Sequence, residues 1–362
     1  MTDRSKTYAF QPDYGASPGE SLAEVLEDRG MSQAELARRT GLSAKHVNQV
    51  ILGEASISPE VGLRLEKVLQ VPSRFWTTLD AQYRDYRIRQ EESVALEADI
   101  PWLDELPIAE LVNRGYVRPR VSEVEVVRDV LAFFGVANRQ AWRNVWTIPT
   151  AYRKSRVHDV KEPALAAWIR IGELKASDVK TNSFDRKAFR DLLPQLRALT
   201  LLQVDQWHPQ LIKMCAEAGV AVVFEPEIKG SRISGVTRWI ESDVALIEMS
   251  LRGKWADIFW FSFFHEVAHV LLHDRKRLTF VDGPPAKNEA DDLETEANLF
   301  SSRTLIPAEY ENALSVLRTK ADVLDFASGI GIHPGIVVGR LQHDGHLKFN
   351  QLNELRNRYT FA

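Results

Sequence analysis

Two histidines and a glutamate at fixed spacing are the residues best able to do chemistry: His265, Glu266 and His269 lie in the run HEVAH. They end a segment, residues 255 to 273, that has no proline or glycine and is otherwise almost wholly apolar. On an α-helix the two imidazoles stand one turn apart on one face, so both can reach one metal ion. Glu266 can then accept a proton from a metal-bound water. The pattern predicts a buried helix with a hydrolytic zinc site; the alternative is a core helix whose histidines only satisfy polar neighbours.

A third ligand must come from another element. A metzincin-type third histidine would fall at position 275, which is Arg275, and the accompanying glycine at position 272 is Leu272. Further on, residues 289 to 300 carry apolar side chains at helical spacing. On that helix Glu294 shares a face with Asn298. The carboxylate of Glu294 would complete a His, His, Glu site with one open position. Asn298 would orient one of these ligands through a hydrogen bond, without binding the metal itself.

Three blocks of this region resemble the ImmA/IrrE metallopeptidases: His265 to Leu272, Glu294 to Phe300, and Leu305 to Pro307. The resemblance implies that the first glutamate of the second block, Glu294, is the third zinc ligand, with Glu296 as the remaining alternative. It also implies a zinc-dependent endopeptidase acting on a protein or peptide. Relatives act in regulated proteolysis of transcription factors and in toxin-antitoxin or stress responses, so the expected substrate is a repressor or a toxin partner.

Three strand-like runs precede the histidine helix: Val220 to Phe224, Ile233 to Ile240, and Val244 to Met249. A short sheet followed by two ligand-bearing helices is the layout of a zincin-like α+β domain. An exposed edge strand of such a sheet can bind a peptide through backbone hydrogen bonds, and either the second or the third run could do so. His273, one turn beyond His269, is predicted to support the ligands from outside or to cap the helix.

The N-terminal region reads as a small all-helical domain. Between Gly19 and Leu79 the sequence predicts five short helices with marked starts. Ser32 and Glu35 are spaced for a capping box, Ser43 opens another helix, and Ser58 followed by proline opens a third.

Within these helices the spacing of small and apolar residues predicts a helix-turn-helix. Ala37 lets two helices cross, Gly41 supplies the turn, and Val47 and Val50 bury the inner face of the second helix. Asparagine and glutamine side chains can pair with adenine, and lysine can reach guanine or phosphate. The alternative is a helical bundle with a solvated polar face. The residues predicted to contact DNA are Gln33, Ser43, Ala44, Lys45, Asn48 and Gln49.

This region also resembles the HigA-type antitoxin branch of the phage-repressor-like DNA-binding domains. The resemblance rests on Pro18 to Glu20, Ile57 to Glu60, and Phe75-Trp76. The predicted partner is a double-stranded, palindromic DNA operator. A homodimer would present two recognition helices about 34 Å apart to such a site.

The composition fits a cytoplasmic protein of several domains. The chain has 362 residues, 44% of them hydrophobic, and a net charge of -4, so no basic field covers it and DNA contact must come from a local patch. It shows no signal region and no apolar run of membrane-spanning length, and its single Cys215 is predicted to be a core residue. We expect a DNA-binding domain over residues 1–90, a helical connecting region over 91–205 that starts with an acidic linker, and a peptidase domain over 206–362.

Two functions are compatible with the sequence. In the first, a DNA-binding transcriptional regulator is fused to a zinc endopeptidase. In the second, the chain is a HigA-like antitoxin and autorepressor whose zinc domain is a non-catalytic peptide-binding or structural module. Glu266 favours the first, because a structural zinc site does not need a general base beside the open position.

Overall fold

The computed structural model describes residues 17–120, 122–146, 160–240, 242–250, 255–273 and 287–359, with side chains from residue 292 in the last range. Contacts divide the chain into two compact units, one ending at Ile100 and one beginning at Pro101. The predicted boundaries near residues 90 and 205 remain predictions. The expected layout is confirmed: an all-helical N-terminal region, a helical middle, and a C-terminal region of helices with a small sheet.

The first unit consists of helices. They are α1 (Pro18–Asp28), α2 (Gln33–Thr40), α3 (Ala44–Ile51), α4 (Pro59–Leu69) and α5 (Ser73–Glu97). The hydroxyls of Ser32, Ser43 and Ser58 accept backbone N–H groups at the starts of α2, α3 and α4, at 3.2, 3.0 and 3.3 Å. The predicted helix starts are therefore confirmed.

The capping box predicted at Ser32 is only half formed. The Ser32 hydroxyl accepts from the Glu35 N–H, but the Glu35 carboxylate turns the other way and pairs with Arg38 and with Arg39. Two guanidinium groups one turn further along α2 are stronger partners for a carboxylate than one backbone N–H, and they lower the pKa of Glu35, with the hydrogen bond from Arg39 as the largest cause.

The helix-turn-helix core forms as predicted. Val47 and Val50 are buried on the inner face of α3, and Ala37 is buried where α2 meets it. Gly41 adopts the left-handed conformation, with φ of 69°, at the turn between the two helices. This conformation strains residues that carry a Cβ, which explains glycine at this position.

The fifth helix is not short. Helix α5 extends for 25 residues, through much of the acidic segment predicted to be a linker, and ends at Glu97. Ion pairs one turn apart, such as Arg84 with Asp80 and Arg89 with Asp85, at 2.9 and 2.8 Å, support it. Because α5 has no strong apolar stripe, the sequence pattern underestimates its length.

The second unit has many more helices, arranged around the sheet. They are α6 (Ile108–Asn113), α7 (Glu123–Phe134), α8 (Arg139–Trp146), α9 (Glu162–Ala176), α10 (Arg186–Asp191), α11 (Leu193–Ala198), α12 (Val204–Glu217), α13 (Ala256–Leu272), α14 (Lys287–Leu305), α15 (Glu311–Leu314), α16 (Lys320–Ile330) and α17 (Pro334–His343). Short 3-10 helices cover Ile100–Glu105, Leu199–Leu201, Ala308–Tyr310 and Asn353–Leu355. Helix α12 runs through position 205, where the sequence placed a boundary.

The three predicted strands are confirmed, and the second and third are shorter than the predicted runs. They are β1 (Val220–Phe224), β2 (Gly235–Trp239) and β3 (Ala245–Met249), in the order β1-β3-β2. Strand β3 pairs in parallel with β1 and antiparallel with β2. Helix α13 packs against β2 and β3, and α9 packs against β1 and β3. The sheet therefore carries helices from both the middle and the C-terminal part of the chain.

Helix α13 lies at the centre of the main core. Its aromatic side chains, among them Trp260, Phe263 and Phe264, are fully buried, and Trp207 of α12 packs against them. The predicted helix over residues 255 to 273 is confirmed, as is the burial of Cys215. The core thus fixes the helix that carries the two histidines.

Among the described residues, no single helix is long and apolar enough to cross a membrane. The pair α16 and α17 meets the length and composition test together but is bent by 116°.

Candidate metal centre and helix-turn-helix surface

His265, His269 and Glu294 bring their potential ligand atoms together. The Nε2 atoms of the two histidines lie 3.0 Å apart. The Glu294 carboxylate faces both: Oε2 is 3.2 Å from His265 Nε2, and Oε1 is 3.5 Å from His269 Nε2. Both histidines are buried on α13, whereas Glu294 is half-buried on α14. Two helices that pack side by side therefore supply the three side chains.

The spacing fits a metal ion. Ligand atoms about 2.1 Å from a tetrahedral metal stand about 3.4 Å from one another. The three separations, 3.0, 3.2 and 3.5 Å, are close to that value. Two imidazoles and a carboxylate form a donor set typical of zinc, and three protein ligands leave one position for water or substrate. The donors therefore fit a catalytic type of metal site.

Each of the two histidines is oriented by a contact at Nδ1, the ring nitrogen that faces away from the candidate metal position. His265 Nδ1 lies 2.9 Å from Asn298 Oδ1, and His269 Nδ1 lies 2.8 Å from His273 Nδ1. His273 Nε2 in turn lies 3.3 Å from Glu296 Oε2. The amide oxygen of Asn298 can only accept, so His265 donates from Nδ1 and leaves Nε2 unprotonated for a metal. The predicted supporting places of Asn298 and His273 correspond to these contacts.

The chain of contacts at His269 has one consistent assignment of protons. If His269 leaves Nε2 for a metal, its Nδ1 donates to His273 Nδ1, and His273 then donates from Nε2 to the Glu296 carboxylate. Burial is the largest cause that lowers the pKa of His273, a direction that favours the neutral ring of this pattern. In this geometry Glu294 belongs to the candidate ligand set, and Glu296 contacts His273.

The carboxylate of Glu266 is positioned by strand β2. It is almost fully buried, and the Thr237 hydroxyl lies within donating distance of both its Oε2, at 2.9 Å, and the Glu266 backbone oxygen, at 3.0 Å. On the same face of β2, a Cβ added to Gly235 would lie 2.9 Å from Glu266 Cγ, so glycine leaves the space that the glutamate occupies. Sequence reasoning missed both residues. Their alternation, Gly-x-Thr, places them on one face of a strand, but which helix that face meets depends on long-range packing.

Strand β2 is also the better candidate for peptide binding. Strand β3 is hydrogen-bonded on both sides, so the run from Val244 to Met249 is excluded as the receiving edge. Strand β2 is hydrogen-bonded to β3 alone within the described part of the sheet, and it packs against α13. Of the two predicted alternatives, only the run from Ile233 to Ile240 remains.

The residues predicted to contact DNA surround the start of α2 and the outer face of α3. Gln33, Ala44, Lys45 and Asn48 are exposed. The Asn48 amide donates to Gln33 Oε1 at 3.4 Å, so these two side chains support each other across the turn. Gln49 is half-buried at the edge of the same face.

Ser43 combines two roles. Its oxygen accepts from the His46 N–H as the cap of α3, which leaves the hydroxyl hydrogen able to donate to a phosphate. The nearby Arg38 and Arg39 are exposed but share the Glu35 carboxylate. The Glu35 carboxylate therefore reduces the positive charge that these two arginines offer to DNA.

Comparisons with known proteins agree with these two regions. A family model described as helix-turn-helix matches residues 22–76, and one described as IrrE N-terminal-like domain matches residues 256–341. No curated protein matches the chain. Among solved structures, an addiction module antidote protein of the HigA family from Coxiella burnetii is 28% identical, covering 23% of this chain and 92% of that chain with a TM-score of 0.22.

The family models confirm the predicted helix-turn-helix and the predicted resemblance to the IrrE/ImmA family over these residues. The chain joins a helix-turn-helix DNA-binding domain to an IrrE/ImmA-like peptidase domain.

Proposed function

We propose that the protein is a transcriptional regulator with a built-in zinc endopeptidase, which binds an operator and cleaves a repressor or toxin-system partner. The observation that carries this proposal is the convergence of His265, His269 and Glu294 beside a buried Glu266. A structural zinc site has four protein ligands, whereas the described residues bring together three here, beside a carboxylate suited to proton transfer.

The residues around the candidate metal site have different roles in the proposed peptide hydrolysis. A zinc ion held by the three ligands would polarise the scissile carbonyl and lower the pKa of a water molecule to about 7. Glu266 accepts the proton of the attacking water and passes it to the leaving amine. Thr237 donates a hydrogen bond to one carboxylate oxygen of Glu266 and so fixes the orientation of the carboxylate for this transfer.

The substrate peptide is proposed to lie along β2. An extended peptide added to the edge of this strand would run past Glu266, since Gly235 and Thr237 of β2 contact that side chain. Backbone hydrogen bonds of this kind fix the peptide without regard to its sequence, so selection among substrates must come from side-chain contacts.

The N-terminal helix-turn-helix is proposed to bind the operator and so to place the peptidase domain at that DNA site. Lys45, Asn48 and Gln49 would read bases in the major groove, and Gln33 and Ser43 would contact phosphates. A homodimer on a palindromic operator supplies two such surfaces. We expect the substrate to be another protein bound at or encoded beside the same operator.

Glu266→Gln is the variant that tests the proposed chemistry. It keeps the shape and the neighbouring ligands but cannot accept a proton, so cleavage should fall by at least about 100-fold while zinc content stays equal to that of the wild type. The assay incubates zinc-loaded full-length protein with the products of neighbouring genes and follows fragments by mass spectrometry. Glu309→Gln, an exposed carboxyl on a 3-10 helix, is the control and should cleave normally.

The same assay separates the alternative function. If the wild-type protein holds zinc and binds a neighbouring gene product tightly but never cuts it, the peptidase proposal is wrong and a non-catalytic antitoxin remains. Equal cleavage by wild type and Glu266→Gln would show that Glu266 is not the base.

A further inference from the structure

A cavity of about 500 Å³ lies between α13, α14 and α17. Its volume is in the range of small-molecule binding sites. Its lining residues include neither a candidate metal ligand nor Glu266 nor a residue of β2, so it is separate from the place proposed for the substrate peptide. Most of its wall is apolar, formed by Ile258, Phe261, Leu299, Leu305, Ile306 and Ile336.

Two of the apolar wall residues are partly exposed to solvent, so the cavity can be entered from outside. Ile258 of α13 is 39% exposed and Leu299 of α14 is 46% exposed. The wall residues Leu305, Ile306 and Ile336 are buried. An apolar group that enters the cavity would displace water from these walls, which is favourable. The cavity therefore suits the apolar body of a ligand.

Arg340 of α17 brings a positive charge to this apolar wall. Its Nε donates to Asp344 Oδ2 at 2.6 Å, one turn further along the chain. Its Nη1 atom is buried and has no hydrogen-bond partner among the described residues. A buried N–H group without an acceptor is unfavourable, and a guanidinium pairs most strongly with a carboxylate. Arg340 therefore uses one edge of its guanidinium within the fold and leaves another for an acidic group of a ligand.

The other ionisable groups in the cavity wall are already paired. Asp257 accepts from Arg356 at both carboxylate oxygens, at 3.0 and 2.7 Å. His343 is mostly exposed, and its Nδ1 lies 3.2 Å from Asp344 Oδ1. A cationic ligand would meet only the paired Asp257 carboxylate in this lining, whereas an anionic ligand would meet the Arg340 guanidinium. The charges therefore favour an anion.

We propose that this cavity binds a small carboxylic acid with an apolar body. The carboxylate contacts the Arg340 guanidinium, and the body packs against the apolar wall, which includes Phe261, Leu299 and Ile336. A medium-chain fatty acid and a bicyclic aromatic acid share this chemistry, so the test compares the two. The site does not depend on the proposed peptidase, because no candidate metal ligand lines it.

The test measures Kd by calorimetry on the full-length protein, with octanoate, naphthoate and the neutral analogue octanol as probes. About one octanoate should bind per chain, at least about tenfold more tightly than octanol, since hydrogen bonds to charged groups are stronger than those between neutral groups. The acid that binds more tightly, octanoate or naphthoate, identifies the aliphatic or the aromatic source.

Two variants assign the parts of the site. Arg340→Gln removes the charge and should bind octanoate and octanol alike, whereas Arg303→Gln, exposed on α14 outside the cavity lining, should keep the wild-type preference. Ser302 is half-buried on α14 and lines the cavity, so Ser302→Trp should fill it and abolish the binding of both probes. Arg303→Trp is the matched control for Ser302→Trp and should bind as wild type does.

Three results would each overturn the proposal: no binding of either acid to wild type, equal Kd values of octanoate and octanol for wild type, or octanoate binding that Ser302→Trp retains. A preference for octanoate that Arg340→Gln keeps would overturn the role of Arg340. If Arg340→Gln does not fold, the comparison of octanoate with octanol on wild type and the Ser302→Trp result decide.

Discussion

At the scale of single residues, each of the two candidate histidine ligands uses both ring nitrogens: Nε2 faces the candidate metal position, and Nδ1 contacts a supporting side chain. The HEVAH spacing explains why two Nε2 atoms face one point, but their orientation comes from partners that are distant in sequence, Asn298 for His265 and His273 with Glu296 for His269. Such partners fix the tautomer and usually affect metal affinity about 10- to 100-fold. Glu296, which the sequence left as an alternative third ligand, thus contacts His273, the residue that supports His269.

Thr237 is a positioning residue for the proposed base. Thr237→Val removes the hydroxyl that donates to Glu266 Oε2 while keeping the size of the side chain. A hydrogen bond to a charged group contributes about 1.5 to 3 kcal/mol, so kcat should fall about 10- to 100-fold with KM and zinc content little changed. Steady-state kinetics on a cleaved peptide check this.

Thr237→Ser is the matched control because it restores the hydroxyl, and it should recover most of kcat. If Thr237→Ser is as impaired as Thr237→Val, the methyl group and the packing of β2 matter, and the hydrogen bond does not.

At the scale of elements, helix α13 was predictable and strand β2 was only partly so. A long apolar segment without proline or glycine is typical of a buried helix, and the observed bounds differ from the prediction by one residue at each end. The sequence predicted the three strands from their apolar runs but could not predict their order in the sheet. Strand β3 lies between β1 and β2 because the chain crosses over to pair β3 in parallel with β1, and no local sequence pattern marks such a crossover. The edge position of β2 and its contact with Glu266 follow from that order.

The sheet carries a buried carboxyl group on the face away from α13. Glu248 of β3 is fully buried against Gly172 of α9, and neither of its oxygens has a hydrogen-bond partner among the described residues. Burial raises the pKa of Glu248 well above its usual value, and the nearby Glu225 and Glu173 add to the effect. Lys175 and Arg114 offset it only in part.

Glu248 should make the second unit less stable as pH rises. Above about pH 4.5 the unfolded chain releases this proton while the folded chain keeps it, so the free energy of unfolding falls by up to about 1.4 kcal/mol per pH unit until the raised pKa is reached. Glu248→Gln does not titrate, so it should gain stability relative to wild type across this range. Urea unfolding of the full chain at a series of pH values measures the difference.

The exposed Glu309→Gln serves as the control in that series and should follow wild type at each pH. A constant difference between wild type and Glu248→Gln at all pH values would contradict the raised pKa and leave only a packing effect.

At the scale of the whole molecule, the two domains share one chain and therefore one location. Under the proposed function, a peptidase attached to an operator-binding domain meets any partner bound at that operator at a high effective concentration, without new contacts between them. The net charge of -4 gives no general attraction to DNA, so the proposed operator binding depends on the local surface of α2 and α3.

Asn48→Ala tests that selectivity. Loss of a bidentate contact to a base should cost about 1 to 3 kcal/mol at one operator position and relax the preference there. An operator selected from random DNA, then varied base by base in a binding titration, gives the measurement. Gln82→Ala, an exposed amide on α5 outside the helix-turn-helix, should bind as wild type does. Equal weakening on all sequences would show that Asn48 contacts phosphate only.

The central claim is that His265, His269 and Glu294 form a catalytic zinc site, and metal content tests it most directly. Zinc measured by mass spectrometry on purified protein should be about one ion per chain for wild type and for Glu266→Gln, and close to none for Glu294→Ala. Glu296→Ala is the matched control two residues along α14, and it should retain most of its zinc because Glu296 contacts His273 instead. A wild-type protein without zinc, or a Glu294→Ala protein with full zinc beside an empty Glu296→Ala protein, would contradict this account.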